Sequence, residues 1–278
     1  MILNLLAMAL FAAEDLNEAE RASQKAVSAK MGERGFGPRS PQLAAAQFDQ
    51  ARIYYEHGKY EDAETSLKQA LEINEQELGP QDADVGNCLQ AYVLVLRAMR
   101  RDEEANVMEM RAKAIKNKLT QDQQQKDLIA AQAELASREK ELGAENPALE
   151  PPVRKLAFAY FYLSQYAAAE PLFQRALTLN EKALGHDHPS VAISVMDLAR
   201  VYQSAQKYPE AEARWKRALA LLEKVVEPDH YRLLKPLKGY AELLDRTGRR
   251  DEWKVITDRI KTIEKKYPEY GDARKKAS

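Results

Sequence analysis

His186, Asp187 and His188, echoed by Asp229 and His230, are the side chains in this chain whose types could hold a metal ion. A transition-metal site needs three or four such ligands converging from different directions. Here the first three sit in one short run between Gly185 and Pro189, which is loop punctuation, and the other two stand one repeat later. Asp187 is suited to accept hydrogen bonds from the first N–H groups of a following helix, so it reads as an N-cap and no metal site is expected. The carboxylate pairs Glu61/Asp62 and Glu103/Glu104 could in principle serve acid–base chemistry. Both fall where helices begin, however, and there negative charge complements the helix dipole. Cys88 is the single cysteine; it lies in the apolar half of a helix and reads as a small core residue. His57, beside Gly58, reads as a solvated turn residue. No phosphate-cradling glycine loop, nucleophile elbow, zinc-ligand helix or paired-cysteine motif is present, so no catalytic residue and no cofactor is expected.

Thirteen tyrosines raise the possibility of base stacking, and a set of cations (Arg97, Arg100, Arg101, Arg154 and Lys155) that of a basic patch. Tyr60, Tyr166 and Tyr208, however, recur at one type of turn, and Tyr54 and Tyr202 in the helix before it, which points to packing. The cations read as a solvated face. With 42 basic and 43 acidic residues, the net charge of -1 argues against a nucleic-acid partner, whose phosphates call for an excess of cations. No apolar run approaches the ~18 residues of a membrane span.

The elements that carry these residues repeat. NEKALGHDHPSV (180–191), QELGPQDADV (76–85) and ELGAENPAL (141–149) are versions of one loop. Leu142 to Leu184, Pro147 to Pro189 and Lys182 to Lys224 are each 42 residues apart. EHGKYEDAETSLKQAL (56–71), LSQYAAAEPLFQRAL (163–177) and SAQKYPEAEARWKRAL (204–219) are versions of one turn and helix. Within them Ala63, Ala169 and Ala211 share one position and Ala70, Ala176 and Ala218 another, where a methyl group lets helices cross closely. Glycine and proline number only 11 and 12, and apolar residues recur at helical spacing. The expected fold is therefore all-α: a solenoid of stacked antiparallel helix pairs, each unit running helix A, turn, helix B, loop. Gly185 is suited to end helix B and Pro189 to open the next helix A.

The pattern A-x-x-Y, GKY-x-x-AE and AL-x-x-x-EK-x-LG-x-DHP-x-V resembles tetratricopeptide repeats of the kinesin-light-chain class, over nearly the whole chain. That resemblance implies a superhelix whose A helices line a peptide-binding groove. In kinesin light chains it further implies helix A asparagines that meet cargo peptides. The corresponding places here hold Asp49, Ala91, Lys155, Asp197 and Gly239, so the cargo function does not carry over.

Two blocks are expected. Residues 89–119 align with 237–267 at an offset of 148, pairing Tyr92 with Tyr240 and Arg101 with Arg249, and neither stretch is followed by the LG loop. Block one then covers 1–119 in units of about 1–42, 43–84 and 85–119. Block two covers 120–267, with an extra helix over about 121–142 and units of about 149–190, 191–232 and 233–267. A break near 118–124 is expected, with Thr120 and Gln123 as a capping box; the alternative is one helix over 102–142. Met1–Ala13 reads as the first helix A, which favours a cytoplasmic protein, while a signal-peptide reading would export it. Residues 268–278 read as a polar, poorly ordered tail.

The function expected is a scaffold binding a protein or peptide, with Asp49, Arg52, Lys155, Asp197 and Arg200 as groove residues. Self-association through exposed block ends is the second reading and ligand sensing the third. Sedimentation at several concentrations separates the first two, since a monomer throughout excludes self-assembly.

Overall fold

The computed structural model of the chain describes residues 16–32 and 40–270. Its helices are α1 (Leu16–Gly32), α2 (Pro41–Glu56), α3 (Tyr60–Glu77), α4 (Ala83–Ala98), α5 (Asp102–Leu142), α6 (Glu150–Tyr162), α7 (Tyr166–Leu184), α8 (Val191–Ser204), α9 (Tyr208–Glu223), α10 (Leu234–Arg246) and α11 (Arg250–Lys266). No strand occurs among the described residues. The chain divides into two compact units, 1–122 and 123–278. The expected first helix A, over 2–13, lies outside the described residues, as does 271–278 of the tail.

Each helix pair closes around methyl groups. Ala63, Ala70, Ala169, Ala176, Ala211 and Ala218 are at most 1 % exposed. Around them pack the larger residues of the same stripe, such as Leu67, Phe173 and Trp215. Tyr60, Tyr166 and Tyr208 are half-buried, each against the apolar core of its own unit. Gly239 is a crossing of another kind: the Trp215 ring lies where its Cβ would be, 2.4 Å from Cη2. Its place in the groove register is therefore taken by packing.

α5 is one helix over 102–142, so the expected break at 118–124 is absent. Glutamines are good helix formers, and a stretch polar on every side does not stop a helix without glycine or proline. Thr120 donates back to the Lys116 carbonyl and Gln123 donates to Asp127, both within the helix, so neither caps it. The extra 22 residues are a second helix B: Leu135 stands in the register of Leu177, and Leu142 in that of Leu184.

Capping falls one residue later than the sequence suggests. Ser40, Asp82, Asn146, His188 and His230 accept a hydrogen bond from a backbone N–H two or three residues ahead. Their spacings of 42, 64, 42 and 42 mark one repeat position. His188 and His230 are thus caps, while Asp187 pairs with Lys224 at 2.8 Å. His57 is not solvated, since its Nδ1 lies 2.5 Å from Glu20 Oε2 and its side chain is 10 % exposed. At the chain's end Pro268–Tyr270 forms a 3₁₀ turn, and Tyr270 stacks on Tyr231 at 4.0 Å between ring centres, an ordered start to the expected tail.

The turn between helices A and B needs one left-handed residue, at Gly58, Arg100, Ser164, Gln206 and Gly248, with φ between 58° and 72°. Three of the five carry a side chain there, a conformation that costs roughly 1–2 kcal/mol for an L-residue. Gln206→Gly is expected to raise stability by about 0.5–1 kcal/mol, part of the relief being offset by glycine's freedom in the unfolded chain. Gly239→Ala should instead cost about 1–3 kcal/mol by overpacking against Trp215. Denaturant midpoints of both variants check this, and an unchanged Gly239→Ala midpoint would refute the packing assignment.

Candidate functional site

The A helices are held by two rows of ion pairs that link each helix B to the repeat after it. In the first row, Glu20, Glu64, Glu170 and Glu212 meet Lys59, Arg101, Lys207 and Arg249 at 2.6–2.7 Å. In the second, Glu75, Glu139, Glu181 and Glu223 meet Arg111, Arg175, Arg217 and Arg259. Arg175, Arg217 and Arg259 also donate to the loop carbonyls of Ala144, His186 and Pro228. The glutamate of the AE motif and the cation of the next GKY-type turn are therefore one device. Their near-constant separation in sequence was the signal that could have revealed it.

In the unit 1–122, α2 and α4 present the face that carries Asp49 and Arg52. Asp49 is half-buried and Arg52 exposed, and each engages another group of the chain. Between the helices lies an open cleft of about 120 Å³ lined by Ala51, Arg52, Tyr55, Glu56, Leu67, Ala91, Leu94 and Val95. Leu94 is 54 % exposed on its rim.

In the unit 123–278, the same face of α6 and α8 is filled with rings and cations. The Arg200 guanidinium lies 5.7 and 5.4 Å from the Phe158 and Phe161 ring centres, and Arg154 lies 5.4 Å from Phe158. Phe158 meets Phe173 edge-on at 4.9 Å. Asp197 is buried at 1 % exposed; its Oδ2 accepts from Arg154 Nε at 2.6 Å and its Oδ1 has no partner. It is thus a support beneath Arg154 and not the reachable groove residue that its register alone predicts. Glu150 nearby has its carboxyl pushed up by burial, against the pull of Arg154. Lys155 is exposed but paired with Glu134 at 2.6 Å.

The cations expected to form a solvated face are mostly engaged: besides Arg101, Arg154 and Lys155, Arg97 meets Glu109 at 2.5 Å. Sequence reasoning missed Tyr55, Leu94, Phe158 and Phe161, because an apolar residue in helix A reads as core. Register was the available signal, since Arg52, Leu94, Phe158 and Arg200 occupy one repeat position. Among the described residues, no group of three or more His, Cys, Asp or Glu is placed to hold a metal ion, and no helix is long and apolar enough to cross a membrane.

The sequence pattern of the tetratricopeptide repeat matches residues 1–76, 152–213 and 193–252. Among solved structures, the chain is similar to the nearly identical TPR-like repeats of a Podosopora anserina kinesin light chain, with 22 % identity, 81 % of this chain and 97 % of that one covered, and a TM-score of 0.42. It is also similar to BtubC (BKLC) from P. vanneervenii, with 19 % identity, coverages of 92 % and 94 %, and a TM-score of 0.43. The TPR2AB-domain:pHSP90 complex of yeast Sti1 gives 16 %, 97 %, 92 % and 0.37 in the same order. No curated protein matches the sequence.

Two of the carboxylates held low in the fold, Glu64 and Glu212, contribute to its acid response. Burial works against the charge of Glu64, but hydrogen bonds from Lys68, Tyr92 and Arg101 outweigh it and hold the carboxyl at about 2. Arg249, opposed by burial and joined by Lys216 and Tyr240, holds Glu212 at about 2 as well. A carboxyl lowered from 4.5 on folding stabilises the fold fully above pH 4.5, and that contribution is lost as pH falls towards 2. Glu212→Gln is expected to cost on the order of 1–3 kcal/mol at neutral pH and to flatten part of the decline below pH 4.5. Urea midpoints from pH 7 to 2.5 check both, and a variant with the parent's full acid slope would contradict the assignment.

Proposed function

The chain belongs to the tetratricopeptide repeat family, and on that premise we propose that it is an interaction scaffold whose helix A face, in each unit, holds a segment of another protein. Tetratricopeptide proteins generally mediate protein–protein interaction, and the repeat generally serves as a non-enzymatic scaffold. One observation carries the reading for this chain: Leu94 of α4, Tyr162 of α6 and Ile193 of α8 are large apolar side chains left 45–57 % exposed. Within its own unit each falls on the helix A face, Leu94 with Arg52 and Tyr162 and Ile193 with Arg200, by helical spacing and repeat register. Apolar residues flanked by cations on a face held rigid by its neighbours are the composition of a recognition surface.

A partner segment laid on the face of either unit would bury the apolar side chains there, and in the unit 123–278 it would draw on Arg200, which has no carboxylate partner among the described residues. The charges on the face are mixed in sign, so apolar burial supplies the affinity and the cations its orientation.

The test is selection of binding peptides from a random display library against the intact chain. Binders are expected to lose at least tenfold in affinity when Leu94, Tyr162 and Ile193 are all changed to serine. They should keep their affinity when Val107 and Val255, 54 and 69 % exposed on helix B, are changed instead. Binders indifferent to the first set, or a library that yields none, would overturn the reading.

A further inference from the structure

The cleft in the unit 1–122 exists because its lining is smaller than that of the equivalent place in the other unit, 106 residues further on. Leu67 stands there for Phe173, Arg52 for Phe158, Tyr55 for Phe161 and Leu94 for Arg200; in the unit 123–278 Phe158 meets Phe173 edge-on at 4.9 Å and the Arg200 guanidinium lies over the Phe158 and Phe161 rings. With leucines at 67 and 94, and only methyl groups at Ala51 and Ala91, the wall between α2 and α4 is left hollow. Its volume, about 120 Å³, is far below the roughly 300–1,000 Å³ of small-ligand sites. It suits one aliphatic side chain. The walls are apolar, and the Tyr55 ring is braced by Tyr60 at 5.6 Å between centres.

The rim adds a charge preference. Glu56 is exposed, lines the cleft and has no side-chain partner among the described residues. It is the last residue of α2, whose final turn holds no basic residue, so its carboxylate adds to the negative end of the helix dipole. The basic side chains that follow it in sequence, His57 and Lys59, are both committed to Glu20. Arg52, one turn back, is engaged with another group of the chain. A cation supplied from outside is what this rim lacks.

We infer that the α2–α4 cleft is a subsite for one leucine- or methionine-sized side chain of a partner peptide, next to a basic residue that pairs with Glu56. This rests on the scaffold reading above and names the partner chemistry for one of its two faces.

The experiment uses the intact chain with leucine and valine methyl groups isotopically labelled, titrated with the blocked peptide acetyl-Ser-Gly-Leu-Lys-Gly-Ser-amide. Saturable shifts are expected at the Leu94 and Val95 methyls. Peptides with Leu replaced by Ser, or Lys by Glu, should bind at least fivefold more weakly. Glu56→Lys should invert the preference between the Leu-Lys and Leu-Glu peptides. Leu94→Phe, which places a ring over the hollow from an exposed position, should abolish the shifts of Val95 with no change in melting midpoint. Absence of a saturable shift, equal response to the Leu-Lys and Leu-Glu peptides, or a Glu56→Lys variant with unaltered preference would each overturn the subsite. Library-selected binders separate this from the broader reading. If they depend on Tyr162 and Ile193 yet leave Leu94 and Val95 unmoved, the subsite fails and the scaffold stands; if no binder depends on either set, both fail.

Discussion

A carboxylate on each helix B, answered by a cation one repeat further on, is the constraint from which the rest of the arrangement follows. Isolated surface pairs contribute little, ~0–1 kcal/mol. Those at Glu64 and Glu212 are different in kind, because each carboxylate is 10–19 % exposed and gathers Lys, Arg and Tyr donors together. A carboxylate so enclosed is costly without its partners. A slipped stacking of the repeats would leave it without them. Apolar burial drives the stacking, and the ion pairs choose which stacking.

With the stacking chosen, the A helices inherit their faces. The crossings at Ala63, Ala169 and Ala211 bring helices close enough that whatever projects from the A face meets either solvent or a neighbouring ring. The two units then diverge through a few large side chains. Phenylalanines at 158 and 161 build a floor under Arg200, whereas leucines at 67 and 94 leave a hollow beside Glu56. The same backbone register thus carries two surfaces of different chemistry.

The fold was legible because its determinants are periodic: alanines, turn residues and loops return at 42, and a period survives substitution at any one place. The candidate site was less so. Asp197 has the register of a groove residue but lies buried beneath Arg154, since register fixes the direction of a side chain and not what a neighbouring repeat lays over it. His188 reads as a metal ligand by type and is a cap by geometry. The continuity of α5 escaped because a polar stretch resembles a linker, although only glycine or proline would have broken the helix there.

Both tryptophans, Trp215 against Gly239 and Trp253 on α11, belong to the unit 123–278. Trp215 is enclosed and donates its indole N–H to Gln203 at 2.9 Å, so opening of its surroundings changes both the polarity and the hydrogen bonding the indole senses. Tryptophan fluorescence, excited beyond the tyrosine band, is therefore a reporter of one half of the molecule, whereas the far-ultraviolet dichroism sums over both. Disagreement between the two signals during unfolding would measure how independently the halves melt, with no label added.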